Sequence, residues 1–389
     1  MHRQAKHAFR KTRRIPFADA KSLPQKYFVS PDVFDKEQAE IFSKGWLLVG
    51  HQSQIPKPGD YFLATIAGES VIVTRDQRSQ VSGFYNVCRH RGTRLREHAC
   101  GHASAIQCPY HAWTYALDGR LIGAPHMDDV PGFDKADYSL HRVNLGLWEG
   151  FIFVNLAESG PLTSILSQRE RQKRNGFVSL EDWFAPLKGK FSHWNMSILQ
   201  PAKRIEYDVR ANWKLMFENY SECYHCPGVH PQLQKVSPYD SAENDLREGP
   251  FLGGFMKINP GKSLTMSGNA CAAFVGKIEN LQQVFYYSIF PNMLLSLHPE
   301  YVMVHQLWPM SPERTLIVCD WFFHPDAFNR PDFKPDDAIE FWDMTNKQDW
   351  HVCELSQQGI ASRAYEPGPY SSRESIPAAW DRYYLSVMR

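Results

Sequence analysis

Two short segments constrain this chain more than any other part of it: Cys88-Arg89-His90-Arg91-Gly92 and Cys108-Pro109-Tyr110-His111. Each supplies one thiol and one imidazole. A zinc finger usually pairs cysteines in one half and histidines in the other, around one tetrahedral ion. Here each loop offers one of each, a distribution that suits two adjacent irons, with both cysteines on one and both histidines on the other. Such a site needs two rigid loops held side by side, and tight turns at strand ends provide them. Cys100-Gly101-His102 repeats the Cys-x-His spacing, but only five residues part it from Cys108, too few for strands to separate two clamping loops. Cys88, His90, Cys108 and His111 are therefore the assigned ligands.

Two thiolates on one iron and two imidazoles on the other form the ligand set of a Rieske [2Fe-2S] cluster, whose neutral imidazoles raise the reduction potential above that of an all-cysteine cluster. The surrounding pattern fits. Tyr61 to Ile66, Ser70 to Thr74 and Val81 to Val87 are β-rich runs separated by Gly68 and Asp76, and Asp118-Gly119 marks a hairpin within Thr114 to Leu121. These elements predict a small all-β domain over 49–158. Before it, residues 1–48 form an N-terminal arm expected to pack on the catalytic domain. The arm holds an amphipathic helix from Pro31 to Leu48, read from Val33, Phe34, Ala39, Phe42 and Trp46.

After a polar connection with some helix, running from Glu158 to Lys190, a second unit spans 159–389. Its strands are read at Ile205 to Val209, Gln283 to Ile289, Tyr301 to Leu307 and Thr315 to Phe323. Helical patterns run from Trp213 to Tyr224 and from Asp337 to Gln358. Strands with segregated helices predict an α+β catalytic domain with an antiparallel sheet.

Forty-three basic residues against forty-two acidic ones leave a formal charge of +1, so no global field points to nucleic acid or an anionic membrane. No run approaches the roughly 20 apolar residues of a membrane span. The eight cysteines are unevenly spaced among histidines and read as metal ligands and buried thiols rather than a secreted disulfide framework. A reducing, cytoplasmic setting is expected. Arg3, Lys6, Arg10, Lys11, Arg13 and Arg14 make a basic arm without the apolar stretch of a secretory signal and poor in the serine of a transit peptide.

A second constellation lies at Glu218-Asn219-Tyr220-Ser221-Glu222-Cys223-Tyr224-His225, followed by His230-Pro231. On a helix Glu222 and His225 share a face; Pro227 and Gly228 then break it and let the chain turn His230 back towards His225. Two histidines and one distant carboxylate make the facial triad of non-heme iron(II), which leaves positions open for dioxygen and substrate. Asp343 and Asp349, both on the C-terminal helical pattern, are the candidate carboxylates.

The run Asn86-Val87-Cys88-Arg89-His90-Arg91-Gly92 through Cys108-Pro109-Tyr110-His111-Ala112-Trp113, with Trp148-Glu149-Gly150-Phe151-Ile152-Phe153-Val154 downstream, resembles the Rieske domain of oxygenase α-subunits. With the second constellation the resemblance spans most of the chain. It implies that His225, His230 and Asp349, which precedes Gln357-Gln358-Gly359, hold a mononuclear Fe(II). It also implies a homotrimer in which the cluster of one subunit faces the iron of the next. In the commonest family pattern an aspartate stands where this chain has Glu222. The glutamate, with the tail Tyr365-Glu366-Pro367-Gly368-Pro369-Tyr370, resembles the glycine betaine, choline, carnitine and stachydrine monooxygenases. The role carried over to Glu222 is to link the two metal centres.

No Gly-x-Gly-x-x-Gly follows a strand, so electrons are expected from a separate flavin and iron-sulfur reductase that oxidises NADH or NADPH. The expected activity is oxidative N-demethylation of a quaternary ammonium such as glycine betaine, with release of formaldehyde. The alternatives are an aromatic-ring hydroxylating oxygenase and, from another class, a Rieske electron carrier.

Overall fold

In a computed structural model of the chain, residues 20–157, 177–273 and 282–389 are described. The basic N-terminal arm and most of the 158–190 connection lie outside them. The chain forms two compact units, Gln38–Lys190 and Met1–Glu37 with Phe191–Arg389. Both boundaries differ from the sequence reading, and each has a physical reason. The segment read as one helix to Leu48 is α-helical over Pro31–Glu37, widens to a π-turn over Gln38–Phe42, and then becomes a strand. Leu47 to His51 are buried at every position, as in a strand covered on both faces, so the helical pattern read to Leu48 ends before this run. At the other end, the short helix Leu180–Trp183 seats Leu180 where Gly146 lacks a side chain, and Phe184 stacks on Trp148 at 4.4 Å. These contacts tie the connection to the β-domain.

The strands of Gln38–Lys190 are β1 (Leu47–His51), β2 (Asp60–Ile66), β3 (Glu69–Arg75), β4 (Val81–Tyr85), β5 (Cys100–His102), β6 (Ile106–Gln107), β7 (Thr114–Tyr115), β8 (Leu121–Gly123), β9 (Asn144–Trp148) and β10 (Phe151–Asn155). They pair antiparallel in sheets ordered β1-β10-β9, β4-β3-β2-β5 and β6-β7-β8. The turn between β7 and β8 needs a glycine twice over. Gly119 has φ +90°, and a Cβ there would meet the Phe84 ring at 2.3 Å. Ile72, Phe84, Leu95, Ile106, Trp113 and Tyr115 form the core on which Cys88 and Cys108 sit.

The other unit is built on an antiparallel sheet of β11 (Gln200–Val209), β12 (Glu243–Leu246), β13 (Phe251–Lys257), β14 (Gln283–Ile289), β15 (Met293–Leu297), β16 (Val302–Ser311) and β17 (Arg314–Phe323). The order is β11-β17-β16-β15-β14-β13-β12. Helices Trp213–Tyr220, Pro335–Ile360 and Ser375–Val387 accompany it, which makes the α+β class. None of the described helices is long and apolar enough to cross a membrane.

The N-terminal segment is tied to this unit by a buried charge. Lys214, on the first turn of its helix, pairs with Glu37 at 2.5 Å, and both side chains are almost fully excluded from solvent. Burial pushes the Lys214 ammonium down and the Glu37 charge opposes that shift. The carboxylate also accepts from Trp213 Nε1 at 2.9 Å and the Tyr384 hydroxyl at 2.5 Å. Removing one partner of such a pair leaves an uncompensated charge, which costs about 3–5 kcal/mol. Glu37→Ala is therefore expected to lower the unfolding free energy of this unit by about that amount and so shift its urea midpoint down, read by tryptophan fluorescence; an unchanged midpoint contradicts the assignment.

Candidate functional site

Cys88 and Cys108 open two loops with one backbone pattern. The Cys88 N–H donates to Thr93 O at 2.8 Å and the Gly92 N–H to Cys88 O at 3.0 Å; the Cys108 N–H donates to Trp113 O at 2.8 Å and the Ala112 N–H to Cys108 O at 3.2 Å. Each loop closes on a left-handed residue, Gly92 at φ 76° and Ala112 at φ 56°. The sulfurs are buried, while His90 is exposed and His111 half-buried. The imidazoles lie 4.8 Å apart between centroids, with His90 stacked on Trp113. Two sulfurs inward and two imidazoles outward is the arrangement a Rieske cluster requires. The Tyr115 hydroxyl accepts from the Arg89 N–H at 2.9 Å and donates to Cys88 Sγ at 3.3 Å. Sequence reading missed this residue. Burial raises the Cys88 thiol, and the Tyr115 hydrogen bond opposes that rise. Cys100 and His102 stand apart on β5, exposed, with His102 Nδ1 2.9 Å from Asp60 Oδ1.

At the second constellation the helix stops at Tyr220, four residues before the expected end, so Glu222 and His225 do not share a helical face. Glu222 instead folds back. One carboxylate oxygen accepts from the backbone N–H groups of Tyr224 and His225, and the other takes His225 Nδ1 at 2.5 Å. Pro227 and Gly228, expected to break a helix, lie within a single helical turn, Cys226–Val229. That turn still returns His230 to His225. Their Nε2 atoms are 3.2 Å apart, and Asp349 Oδ1 lies 3.3 Å from the first and 2.8 Å from the second. Three ligand atoms on one face of an octahedral ion, each about 2.1 Å from it, stand about 3.0 Å from one another, so this cluster fits the facial triad.

The outer partners fix the tautomers. His225 Nδ1–H donates to Glu222 and His230 Nδ1–H to Gln348 Oε1 at 2.8 Å, which points both Nε2 atoms at Asp349; a metal bound there would displace the protons that Nε2 otherwise shares with that carboxylate. Burial acts to raise the Asp349 carboxyl, but hydrogen bonds from His225 and His230 outweigh it and hold the group at about 2. Burial likewise acts to lower His225, and Asp349 and Glu222 outweigh it, raising the ring to about 10. Asp343, the other candidate carboxylate, is elsewhere on the helix, bound to the Tyr207 hydroxyl at 2.9 Å and Lys347 Nζ at 2.6 Å.

His225, His230 and Asp349 open onto a cavity lined by Tyr220, Phe255, Tyr286, Trp342 and Trp350. Among the described lining residues the acidic side chains are Glu222 and Asp349, and no lysine or arginine accompanies them. His305 also faces the cavity. Burial lowers its ring to about 4, with the Asn346 hydrogen bond opposing, so it is neutral at pH 7. One expectation is corrected here. Cys223 and Cys226, read as thiols, are joined in a disulfide. Cys88, Cys100, Cys108, Cys271, Cys319 and Cys353 are free.

These two donor sets define a Rieske-type oxygenase α-subunit. Residues 45–134 match the Rieske [2Fe-2S] domain, and residues 196–389 match the catalytic domain of the ring hydroxylating alpha subunit. The chain is 32% identical over 387 residues to the glycine betaine monooxygenase oxygenase subunit of Chromohalobacter salexigens, covering 90% of this chain and 82% of that one. It is 28% identical over 349 residues to the carnitine monooxygenase oxygenase subunit of Acinetobacter pittii, covering 88% and 86%. The crystal structure of the quaternary ammonium Rieske monooxygenase CntA superposes with a TM-score of 0.78 at 25% identity, over 98% of this chain and 100% of that one. The chain belongs to the Rieske non-heme iron monooxygenases, enzymes that carry a Rieske cluster and a mononuclear iron and take electrons from a reductase.

Second-sphere partners of metal-ligating histidines typically contribute 10–100-fold to affinity or activity. Gln348→Ala is expected to weaken iron binding at the second centre by about 10–100-fold while the cluster spectrum stays unchanged, as read by metal analysis with electron paramagnetic resonance.

Proposed function

We propose that this protein is the oxygenase component that removes a methyl group from a small quaternary ammonium compound such as glycine betaine. The carrying observation is the cavity: a two-histidine, one-carboxylate cluster opens among aromatic rings, with Glu222 and Asp349 and no lysine or arginine among the described lining residues. A quaternary ammonium has no proton to donate, so aromatic faces and negative charge hold it. The relatives named above for glycine betaine and carnitine support this substrate class.

In this reading Cys88 and Cys108 hold one iron of the cluster and His90 and His111 the other. His225, His230 and Asp349 hold the mononuclear iron. When bound, these groups supply single electrons and dioxygen activation. The protein's own part is positional. Glu222 and Gln348 keep the Nδ1 protons of the two histidines, and the aromatic walls orient an N-methyl group and exclude water. Hydroxylation of that methyl carbon gives a carbinol that breaks its C–N bond. The nitrogen keeps the electron pair, and formaldehyde and a proton leave.

The same reading takes a homotrimer in which Glu222 links His225 to His111 of the neighbouring subunit, in a cytoplasmic protein served by a flavin and iron-sulfur reductase. Glu222→Gln should keep both metal centres yet slow electron transfer between them in single-turnover measurements. A fully active monomer by light scattering contradicts this part.

For the substrate, reconstituted enzyme should release formaldehyde in proportion to the dioxygen consumed with a methylated ammonium. Each cation–π contact is worth roughly 0.5–2 kcal/mol, so Tyr286→Leu should weaken substrate binding by up to about 30-fold without loss of iron. Fully metallated enzyme that ignores every methylated ammonium and hydroxylates an aromatic acid would overturn the substrate reading.

A further inference from the structure

The second centre has a donor that the triad does not use. Cys226 Sγ lies 4.0 Å from His225 Nε2, the ring nitrogen that faces His230 and Asp349. Cys226 Sγ and one ring nitrogen from each of His225 and His230 all fall within 4.8 Å of one another. The disulfide that holds this sulfur closes Cys223-Tyr224-His225-Cys226, so a candidate iron ligand sits inside the bridged segment. Both cysteines are buried from bulk solvent, and both line the cavity that opens on the triad. The thiolate, not a disulfide sulfur, is the strong metal ligand of cysteine.

We propose that Cys226 is a latent fourth ligand of the mononuclear centre, kept off the metal by its bond to Cys223, and that reduction of this disulfide by a small dithiol closes the site. The inference rests on the reading of His225, His230 and Asp349 as the metal ligands. The dithiol gives two electrons and two protons and becomes a disulfide, while the Cys223–Cys226 bond breaks to two thiols. The metal then displaces the Cys226 proton, which passes to solvent. Two imidazoles, a carboxylate and a thiolate complete a four-ligand set of the type that suits zinc, and the added sulfur takes a position that dioxygen needs. The oxidised pair therefore keeps the centre open, and the reduced pair shuts it and turns its preference towards zinc.

The test loads zinc into the mononuclear centre of the full chain with its cluster retained, and reads the zinc X-ray absorption edge, to which the cluster irons are silent. Oxidised wild type should show nitrogen and oxygen neighbours only. Wild type reduced with dithiothreitol and desalted under argon should gain one sulfur neighbour at about 2.3 Å. Cys223→Ser, which frees Cys226 without any reductant, should show the same sulfur, and Cys226→Ser should show none in either state. Zinc bound without sulfur in both reduced wild type and Cys223→Ser overturns the inference alone. Zinc that binds His225→Ala as tightly as wild type overturns the ligand assignment, and this inference falls with it.

Discussion

The site depends on one helix, Pro335–Ile360, being held in register against the sheet, because it carries both Asp349 and Gln348 to a loop more than a hundred residues away in sequence. Polar contacts fix that register along its length. Trp342 Nε1 donates to the Tyr301 hydroxyl at 2.6 Å, Asp343 accepts from Tyr207 at 2.9 Å, and Asn346 Oδ1 lies 3.3 Å from His305 Nε2. Nearer the C-terminus, Gln357 Oε1 accepts from the Asn212 N–H at 3.0 Å, directly ahead of the helix that leads to Glu222. A helix advances 1.5 Å per residue. A slip of one position would therefore separate Asp349 from both histidines, and these contacts oppose it. Asp343 thus has a clear task without touching the metal site: it anchors the helix that presents Asp349.

The smaller unit solves its ligand problem differently. Instead of a long lever it uses two short loops with matched hydrogen bonds, each closed by a left-handed residue and seated on one apolar core. The matched backbones place the two cysteines at equivalent positions, with their sulfurs on the core, while the histidines come from successive positions of the turn, the second after Cys88 and the third after Cys108. These four residues would hold a cluster by buried sulfurs and by imidazoles nearer the surface, and that group would supply one-electron transfer.

Much of this was legible in the sequence because metal ligation restricts residue type and spacing together. Cys88, His90, Cys108 and His111 stand out as candidates in two loops, and the β-branched and aromatic runs Tyr61 to Ile66 and Thr315 to Phe323 mark the strands Asp60–Ile66 and Arg314–Phe323 to within a residue. What escaped followed from tertiary contacts. The strand Met293–Leu297 is buried on both faces and shows no alternation, and Phe251–Lys257 is diluted by Gly253 and Gly254, where a side chain would strike the neighbouring backbone. The helix end at Tyr220 was misplaced because Glu222 satisfies backbone N–H groups with its own carboxylate, which no periodicity records. Gln348 was passed over beside Asp349 because its task, fixing a tautomer, exists only once His230 has arrived. Cys223 and Cys226 were read as thiols by compartment logic that a local pair can override.

The central claim is that His225, His230 and Asp349, not Asp343, form the mononuclear iron site of a chain that also holds a complete Rieske cluster. Iron analysis of three purified proteins tests it most directly. The account predicts roughly three irons per chain in wild type and in Asp343→Ala, two in the cluster and one in the triad, against roughly two in Asp349→Ala with its Rieske resonance intact. Loss of the third iron from Asp343→Ala with retention in Asp349→Ala would contradict it.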